Sequence, residues 1–301
     1  MAFTLDLTGL ATYIDENKDQ LLTKIPATME STKYMNVQTN VLADREMHGL
    51  ITNLTIQDGS NCGFSPEGSQ TISGRILAPN YLKVNTQYCP KDFLGTYAAY
   101  QTSIAMGKGN LPLEEALVND IIKAIAQENE KLIWAGDKSS GDLVDGFITL
   151  FDADAAIPAG NKVTSTLTGA LDRLQEMYKA LPSNKHLSVV CSMTLYRELV
   201  TDLVNKNLVV WNTAADGENE QAIFTLPGTK LTVYGLEGIP ETEDRFFAFD
   251  WNQMFYGCDG TGDKEAFDFF WSADDRVYKL DVEWVSTVNY QFSDGIYIYG
   301  K

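Results

Sequence analysis

Histidine is nearly absent from this chain, with only His48 and His186 in 301 residues. The four cysteines, Cys62, Cys89, Cys191 and Cys258, are scattered and form no C-x-x-C pair. No zinc spacing exists, and the thiols read as reduced and mostly buried. A Ser–His–Asp relay would need one of the two histidines. His186 follows Lys185 ahead of a predicted strand and reads as a loop residue; His48 lies in a polar segment without a partner, and no G-x-S-x-G elbow occurs. Phosphate loops are missing too: Gly107-Lys108-Gly109 stands outside any G-x-x-x-x-G-K-[ST] pattern and reads as a helix stop. No run approaches the roughly 20 apolar residues that a bilayer-spanning helix needs. Met1 to Leu10 has neither a basic n-region nor a long apolar stretch, so no secretory signal is expected and folding is expected in the cytoplasm of the producing cell.

Basic charge is also scarce. Against 41 acidic side chains stand 23 basic ones, a net of −18. The imbalance is uneven: residues 51–110 carry four basic groups (Arg75, Lys83, Lys91, Lys108) and three acidic ones, whereas residues 221–301 carry six and fourteen. Such a balance keeps subunits soluble and works against sequence-specific nucleic-acid binding, which requires Lys and Arg in number.

The carboxylates form no recognisable site. Asp152 with Asp154, and Asp259 with Asp263, do not match the D-x-[DN]-x-[DN]-G calcium loop and read as solvated loops. Glu128 and Glu130 are too close along one helix to flank a substrate as a hydrolase pair would. Aromatic residues (Trp251, Phe255, Tyr256, Phe267, Phe269, Phe270, Trp271) crowd the last third; they suit a sugar or base platform but more commonly mean strand-packed core. No catalytic residue, cofactor or metal site is expected, which shifts weight towards a structural or binding role.

What is present is an ordered α+β pattern. Thr8 or Asp15 can cap a short helix through Leu21 and Leu22 that Pro26 stops, and residues 27–50 are polar and mixed. Residues 51–88 read as extended chain: Leu54-Thr55-Ile56 and the alternating run Gln70–Leu77, with Tyr81–Asn85 resuming the pattern after Pro79-Asn80, predict a long two-stranded ribbon. An isolated hairpin is marginal in water, so a protruding one must lie on another surface. A helix is expected from Lys91 to about Ala105. A second starts with Asn110 as cap, Pro112, Glu114 and Glu115 in its first turn, and runs to Trp134 with Leu113, Leu117, Ile121, Ile125 and Leu132 near helical spacing, ending at Gly136. About 23 residues make it roughly 35 Å long. Then come an amphipathic helix at 167–181 (Leu171, Leu174, Met177, Tyr178), a buried strand at 187–191, a helix at 194–204, and strands at 231–235, 246–250, 267–271 and 277–292. In the last, Val277, Lys279, Asp281 and Glu283 alternate with Tyr278, Leu280, Val282 and Trp284.

That order resembles the HK97-like fold of tailed-phage capsid proteins. Local sequence is similar to capsid proteins of phages infecting Bacteroidetes in Met1–Gln20 (MAFTLDLTGLATYIDENKDQ), Ile56–Gly68 (IQDGSNCGFSPEG), Leu82–Tyr97 (LKVNTQYCPKDFLGTY) and Glu128–Asp137 (ENEKLIWAGD), and at the close, Arg276–Gly300. The resemblance implies an N-terminal arm at 1–50 and an extended E-loop hairpin at 51–88. It further implies a peripheral domain with the spine helix at 89–141, an axial domain at 142–262 and return strands of the peripheral domain at 263–301. It implies a non-enzymatic shell subunit that assembles with itself into hexamers and pentamers of an icosahedral virion capsid. The shell would contain double-stranded DNA without specific binding, with scaffolding, portal and decoration proteins as further partners and no membrane. Thr71, Ile72, Arg75, Ile76, Tyr81, Lys83, Leu10 and Tyr13 are the expected inter-subunit contacts, and loss of residues 1–88 is expected to abolish assembly. Some relatives crosslink a ribbon lysine to a neighbour's asparagine, but no asparagine or acid here can be matched to Lys83, which reads as an ordinary surface lysine. The competing readings are an encapsulin-type compartment shell and a monomeric ligand-binding or carbohydrate-active protein.

Overall fold

The computed structural model describes residues 14, 17, 21–58, 67–89, 113–182, 187–206, 222–226, 228–260 and 266–300. In chain order the first strands are β1 (Asn36–Gln38), β2 (Arg45–Leu54), β3 (Gly68–Leu77), β4 (Asn80–Tyr88), β5 (Lys162–Thr164) and β6 (Ser188–Ser192). They are followed by β7 (Ala222–Thr225), β8 (Thr232–Leu236), β9 (Phe246–Phe249), β10 (Met254–Gly257), β11 (Ala266–Ser272), β12 (Val277–Tyr290) and β13 (Tyr297–Gly300). The helices are α1 (Leu113–Ala135), α2 (Phe147–Ala153), α3 (Ala170–Ala180) and α4 (Met193–Asn205), preceded by helical residues at 21–28.

These elements build two sheets and a separate ribbon. In the first sheet β12 is central: β11 and β4 both pair with its residues 278–283 and so flank it, while β10 pairs with its far end and β1 lies parallel to β10. The second sheet has the order β5-β13-β9-β6-β8-β7, and β2 pairs only with β3. The expected alternation in β12 holds as far as Trp284; beyond it Val285, Ser286, Thr287 and Val288 are all buried, because both faces of that half are covered. Thr28 shows that Pro26 does not stop the first helix. Pro26 sits in its last turn, where only one backbone bond is lost. The capping residues Thr8 and Asp15, the helix expected at 91–105, Asn110, Pro112, His186, Cys62, Asp263 and the glycines at 107 and 109 lie outside the described residues.

The apolar face of α1 is turned by one residue from expectation. Val118, Ile122, Ile125, Ala126 and Ile133 are buried, Ile121 and Leu132 only partly. Two polar residues share this face and disguise it: Asn129 donates to the Tyr256 hydroxyl (3.0 Å), and Glu130 is also buried. The helix ends where two glycines let the chain double back. Gly146 N–H donates to the Gly136 carbonyl at 2.9 Å, and a Cβ on Gly146 would lie 2.6 Å from the Trp134 carbonyl. Phe147 and Phe151 of α2 then pack with Trp134, Phe249 and Tyr290 in the main core.

A second core fills the space between α3, α4 and the six-stranded sheet, with Leu171, Leu174, Leu195, Leu199, Val189 and Val233. Tyr178, expected on the buried face of α3, is exposed. Arg173 occupies that face instead, its guanidinium donating to Asp244 Oδ1 (2.7 Å) and to the Asp244 carbonyl (2.9 Å). An arginine with a long apolar stem can hold a core position when its head group finds such partners.

Candidate assembly surface

The ribbon is where the structure departs most from the alternation read in the sequence. Its strands are β2 and β3, in register from Arg45↔Leu77 to Leu54↔Gly68. Residues 81–85, which the alternation assigned to the ribbon, belong to β4 and lie against β12. The first strand of the ribbon starts instead in the polar stretch before residue 51 and runs on to Leu54.

In an antiparallel pair, opposite residues share a face and the faces alternate. One face of the ribbon holds Met47, Gly49, Arg75 and Leu77, and the other Glu46, His48, Leu50, Leu54, Ile72 and Ile76. The first face is tied to the body at its base. Met47 and Leu77 are buried with Val41 against Phe255. Gly49 meets the Phe292 ring so closely that a Cβ there would strike it. Gln291 Nε2 donates to the His48 carbonyl (2.7 Å) and Asn289 Nδ2 to the Ile76 carbonyl (2.8 Å).

The second face is open. Leu50 is 61% exposed, Leu54 80%, Ile72 72% and Ile76 56%, and Ile56 just beyond β2 is 99% exposed. Leu50 and Ile72 are directly opposite each other, and Ile76 and Leu54 lie on the same face beyond the His48–Gly74 and Thr52–Gln70 pairs, so this face carries an aliphatic stripe interrupted by polar and small residues. Exposed large apolar side chains gathered on one face mark a candidate interaction site. Burying each of these side chains is worth about 2 kcal/mol.

The expected contact residues therefore separate. Ile72 and Ile76 lie on the open stripe; Thr71 pairs with Ile51 in the ribbon backbone. Arg75 points into its own subunit: Nη2 donates to Asp154 Oδ2 (2.5 Å) and Ser293 Oγ (2.7 Å), and its head group lies 4.0 Å over the Tyr290 ring. Tyr81 is half exposed on β4, its hydroxyl donating to the Leu42 carbonyl (3.2 Å). Lys83 also lies on β4, not on the ribbon, and bridges Asp281 (3.0 Å) and Glu283 (2.9 Å) of β12. Those bonds, Glu283 foremost, raise its pKa and hold it protonated. Leu10 and Tyr13 lie outside the described residues. Leu50, Leu54 and Ile56 are the residues not anticipated; their signal was the even spacing 50, 54, 56, broken by Thr52.

The carboxylates considered for chemistry are engaged in structure. Asp152 takes a two-pronged bond from Arg245 (2.6 and 3.0 Å), and Glu128 pairs with Lys131 on the surface (2.7 Å). Glu130 accepts from Ser31 N–H (3.2 Å), the Ser31 hydroxyl and Trp134 Nε1 (3.2 Å). Burial pushes the Glu130 carboxyl up, against the lowering effect of the Ser31 bonds. Glu128 and Glu130 thus face different environments and cannot flank one substrate. Of the aromatic residues in the last third, Trp251, Tyr256, Phe267 and Phe269 are core, while Phe270 and Trp271 are half exposed. Among the described residues no group of three His, Cys, Asp or Glu side chains could hold a metal, and no helix is long and apolar enough to cross a membrane.

No protein-family model matches the sequence, and no curated protein sequence matches it. Solved structures do. A chain of the satellite phage P4 procapsid that includes the size determination (Sid) protein is 11% identical with a TM-score of 0.61, over 100% of this chain and 92% of that one. The capsid of an empty GTA particle gives 13% identity and a TM-score of 0.58, over 91% and 89%. A virus-like particle from Pyrococcus furiosus gives 9% identity and 0.51, over 93% and 95%. With its two sheets, long helix and protruding ribbon, the chain has the HK97-like α+β fold of phage capsid proteins.

Proposed function

We propose that this chain is the major capsid protein of a tailed bacteriophage. Copies assemble into hexamers and pentamers of an icosahedral shell that encloses double-stranded DNA. The observation that carries the reading is the open face of Leu50, Leu54, Ile72 and Ile76 on a ribbon tied to its own subunit, among the described residues, at its base. Such a face calls for a partner surface, and a repeated subunit supplies one at every contact. In this reading the E-loop is the hairpin 45–77, the spine is α1, the peripheral domain holds the five-stranded sheet and the axial domain the six-stranded sheet with α3 and α4. The acidic balance suits a wall that contains DNA without gripping it. Scaffolding, portal and decoration proteins are the further partners of such a shell. The likeness to a virus-like particle favours a second reading, a compartment shell of the same build; packaged nucleic acid separates the two.

Removing residues 1–88 is a poor test, because Leu21, Leu22, Ile25 and Leu82 are core residues and the deletion would unfold the subunit. The better one replaces Leu50 and Ile72 by Asp and follows assembly of full-length protein by light scattering and negative-stain microscopy. Rings or closed shells from the parent, absent in the variant, are expected. A parent that stays a monodisperse monomer at all salt and protein concentrations, with scaffold or host lysate supplied, overturns the proposal.

A further inference from the structure

Among the side-chain ties between the ribbon and the body is a polar hub centred on Asp154. Asp154 is the C-terminal cap of α2. Its Oδ2 accepts from Arg75 Nη2 (2.5 Å), the Tyr290 hydroxyl (2.6 Å) and the Ser293 hydroxyl (2.9 Å), and its Oδ1 from Ala156 N–H (2.8 Å). Lys162 of β5 donates to the Asp154 carbonyl (3.1 Å) and to the Phe151 carbonyl (2.9 Å). Five segments therefore meet there: β3 of the ribbon, the end of α2, the end of β12, the crossing from β12 to β13, and the start of β5.

That crossing is where the chain leaves the five-stranded sheet for the six-stranded one. Other ties between ribbon and body also fall on the crossing or next to it: Asn289, Gln291 and Phe292 all touch the ribbon's base. Arg75 is the only charged ribbon side chain seen to bond into the body among the described residues, and its stack on Tyr290 fixes the plane of its fork. Partial burial alone would raise the Asp154 carboxyl, but the Tyr290, Ala156, Ser293 and Arg75 bonds hold it well below the usual carboxylate range, so the hub is charged throughout the neutral range.

We infer that Asp154 and Arg75 are positioning residues that form a joint: they set the angle of the ribbon and couple it to the crossing between the two sheets. A shift of one sheet relative to the other moves Tyr290 and Ser293, and with them Arg75 and the direction in which the aliphatic stripe faces. The joint is a property of the single subunit and stands whether or not the shell reading does.

The test reads an intramolecular distance. Spin labels are placed on full-length protein at Ile72→Cys on the ribbon and Thr201→Cys on α4, with Cys62 and Cys89 changed to Ser, and labelled chains are diluted into unlabelled ones. Pulsed dipolar spectroscopy is expected to give one narrow distance for the parent. Arg75→Ala and Asp154→Ala are expected to widen the distribution at least twofold, and Arg75→Lys to fall between, while Lys83→Met leaves it unchanged. Thermal unfolding followed in parallel identifies loss of fold; should Asp154→Ala unfold the body, Arg75→Ala alone carries the test. A parent distribution as wide as the variants', or variants as narrow as the parent, overturns the joint.

Discussion

Two antiparallel ladders follow each other in the chain, and they treat their apolar faces in opposite ways. The β2–β3 ladder has ten cross-strand pairs, the β4–β12 ladder nine. In β4–β12 the aliphatic and aromatic face (Leu82, Val84, Leu280, Val282, Trp284) is buried in the main core with α1, and the outer face is charged, with Lys83 between Asp281 and Glu283. In the ribbon both faces carry apolar residues: the inward face buries Met47 and Leu77 at its base beside Arg75 and Gly49, and the outward face leaves Leu50, Leu54, Ile72 and Ile76 exposed. A ladder whose apolar face is filled by its own chain needs nothing further. One whose apolar face points away is built for a surface that its own chain does not provide.

The largest effect should come from charging the filled face. Leu280→Asp places an unpaired carboxylate in the core and should cost more than about 4 kcal/mol, read as loss of the cooperative thermal transition. The same change on the open face, Leu50→Asp with Ile72→Asp, sets like charges opposite each other and should cost only about 1 kcal/mol in chemical denaturation, yet abolish assembly. Equal damage to folding from both would erase the distinction between the ladders.

An intermediate effect is expected at Glu130, where the arm side of the chain meets α1. Glu130→Ala strands the buried Ser31 N–H and hydroxyl donors, while Trp134 Nε1 keeps its bond to Ser31 Oγ (2.7 Å), and should cost about 2 kcal/mol. Glu130→Gln keeps an acceptor and removes the charge. Because the folded-state pKa is raised above 4.5, chiefly by burial, the wild-type side chain contributes fully at low pH and loses that contribution as pH climbs through the raised value. The stability of Glu130→Gln relative to wild type should therefore grow from pH 4.5 upwards in urea titrations; a constant or shrinking difference would refute the assignment. The smallest effect should come from Lys83→Met on the charged outer face: a slight drop in melting temperature that vanishes at high salt.

Legibility followed the same division. Periodicity exposed α1, α3 and the first half of β12, because each buries one face within its own subunit, whereas β6 was legible as an apolar run because both of its faces are buried. It misjudged the ribbon, since the body's sheet and a protruding hairpin share the same period of two, and alternation does not say which partner a strand takes. Hence Tyr81–Asn85 was read with the ribbon, while β2 hid among His48, Thr52 and Asn53. Arg75 looked like a surface contact because its partners, Asp154, Tyr290 and Ser293, are far away in sequence. The same applies to Arg173, whose acceptors at Asp244 lie on another element. Buried polar residues are legible only through their partners, and the partners are set by topology.

The ribbon has a cost that concerns timing rather than strength. Each of its strands pairs only with the other among the described residues, so both outer edges offer unpaired backbone beside an aliphatic stripe. Freshly made subunits can join edge to edge through those strands before they find the intended surface, and such strand addition has no natural end. Docking on a proper partner and open-ended aggregation thus compete for the same atoms, and the winner depends on which surface each new chain meets first.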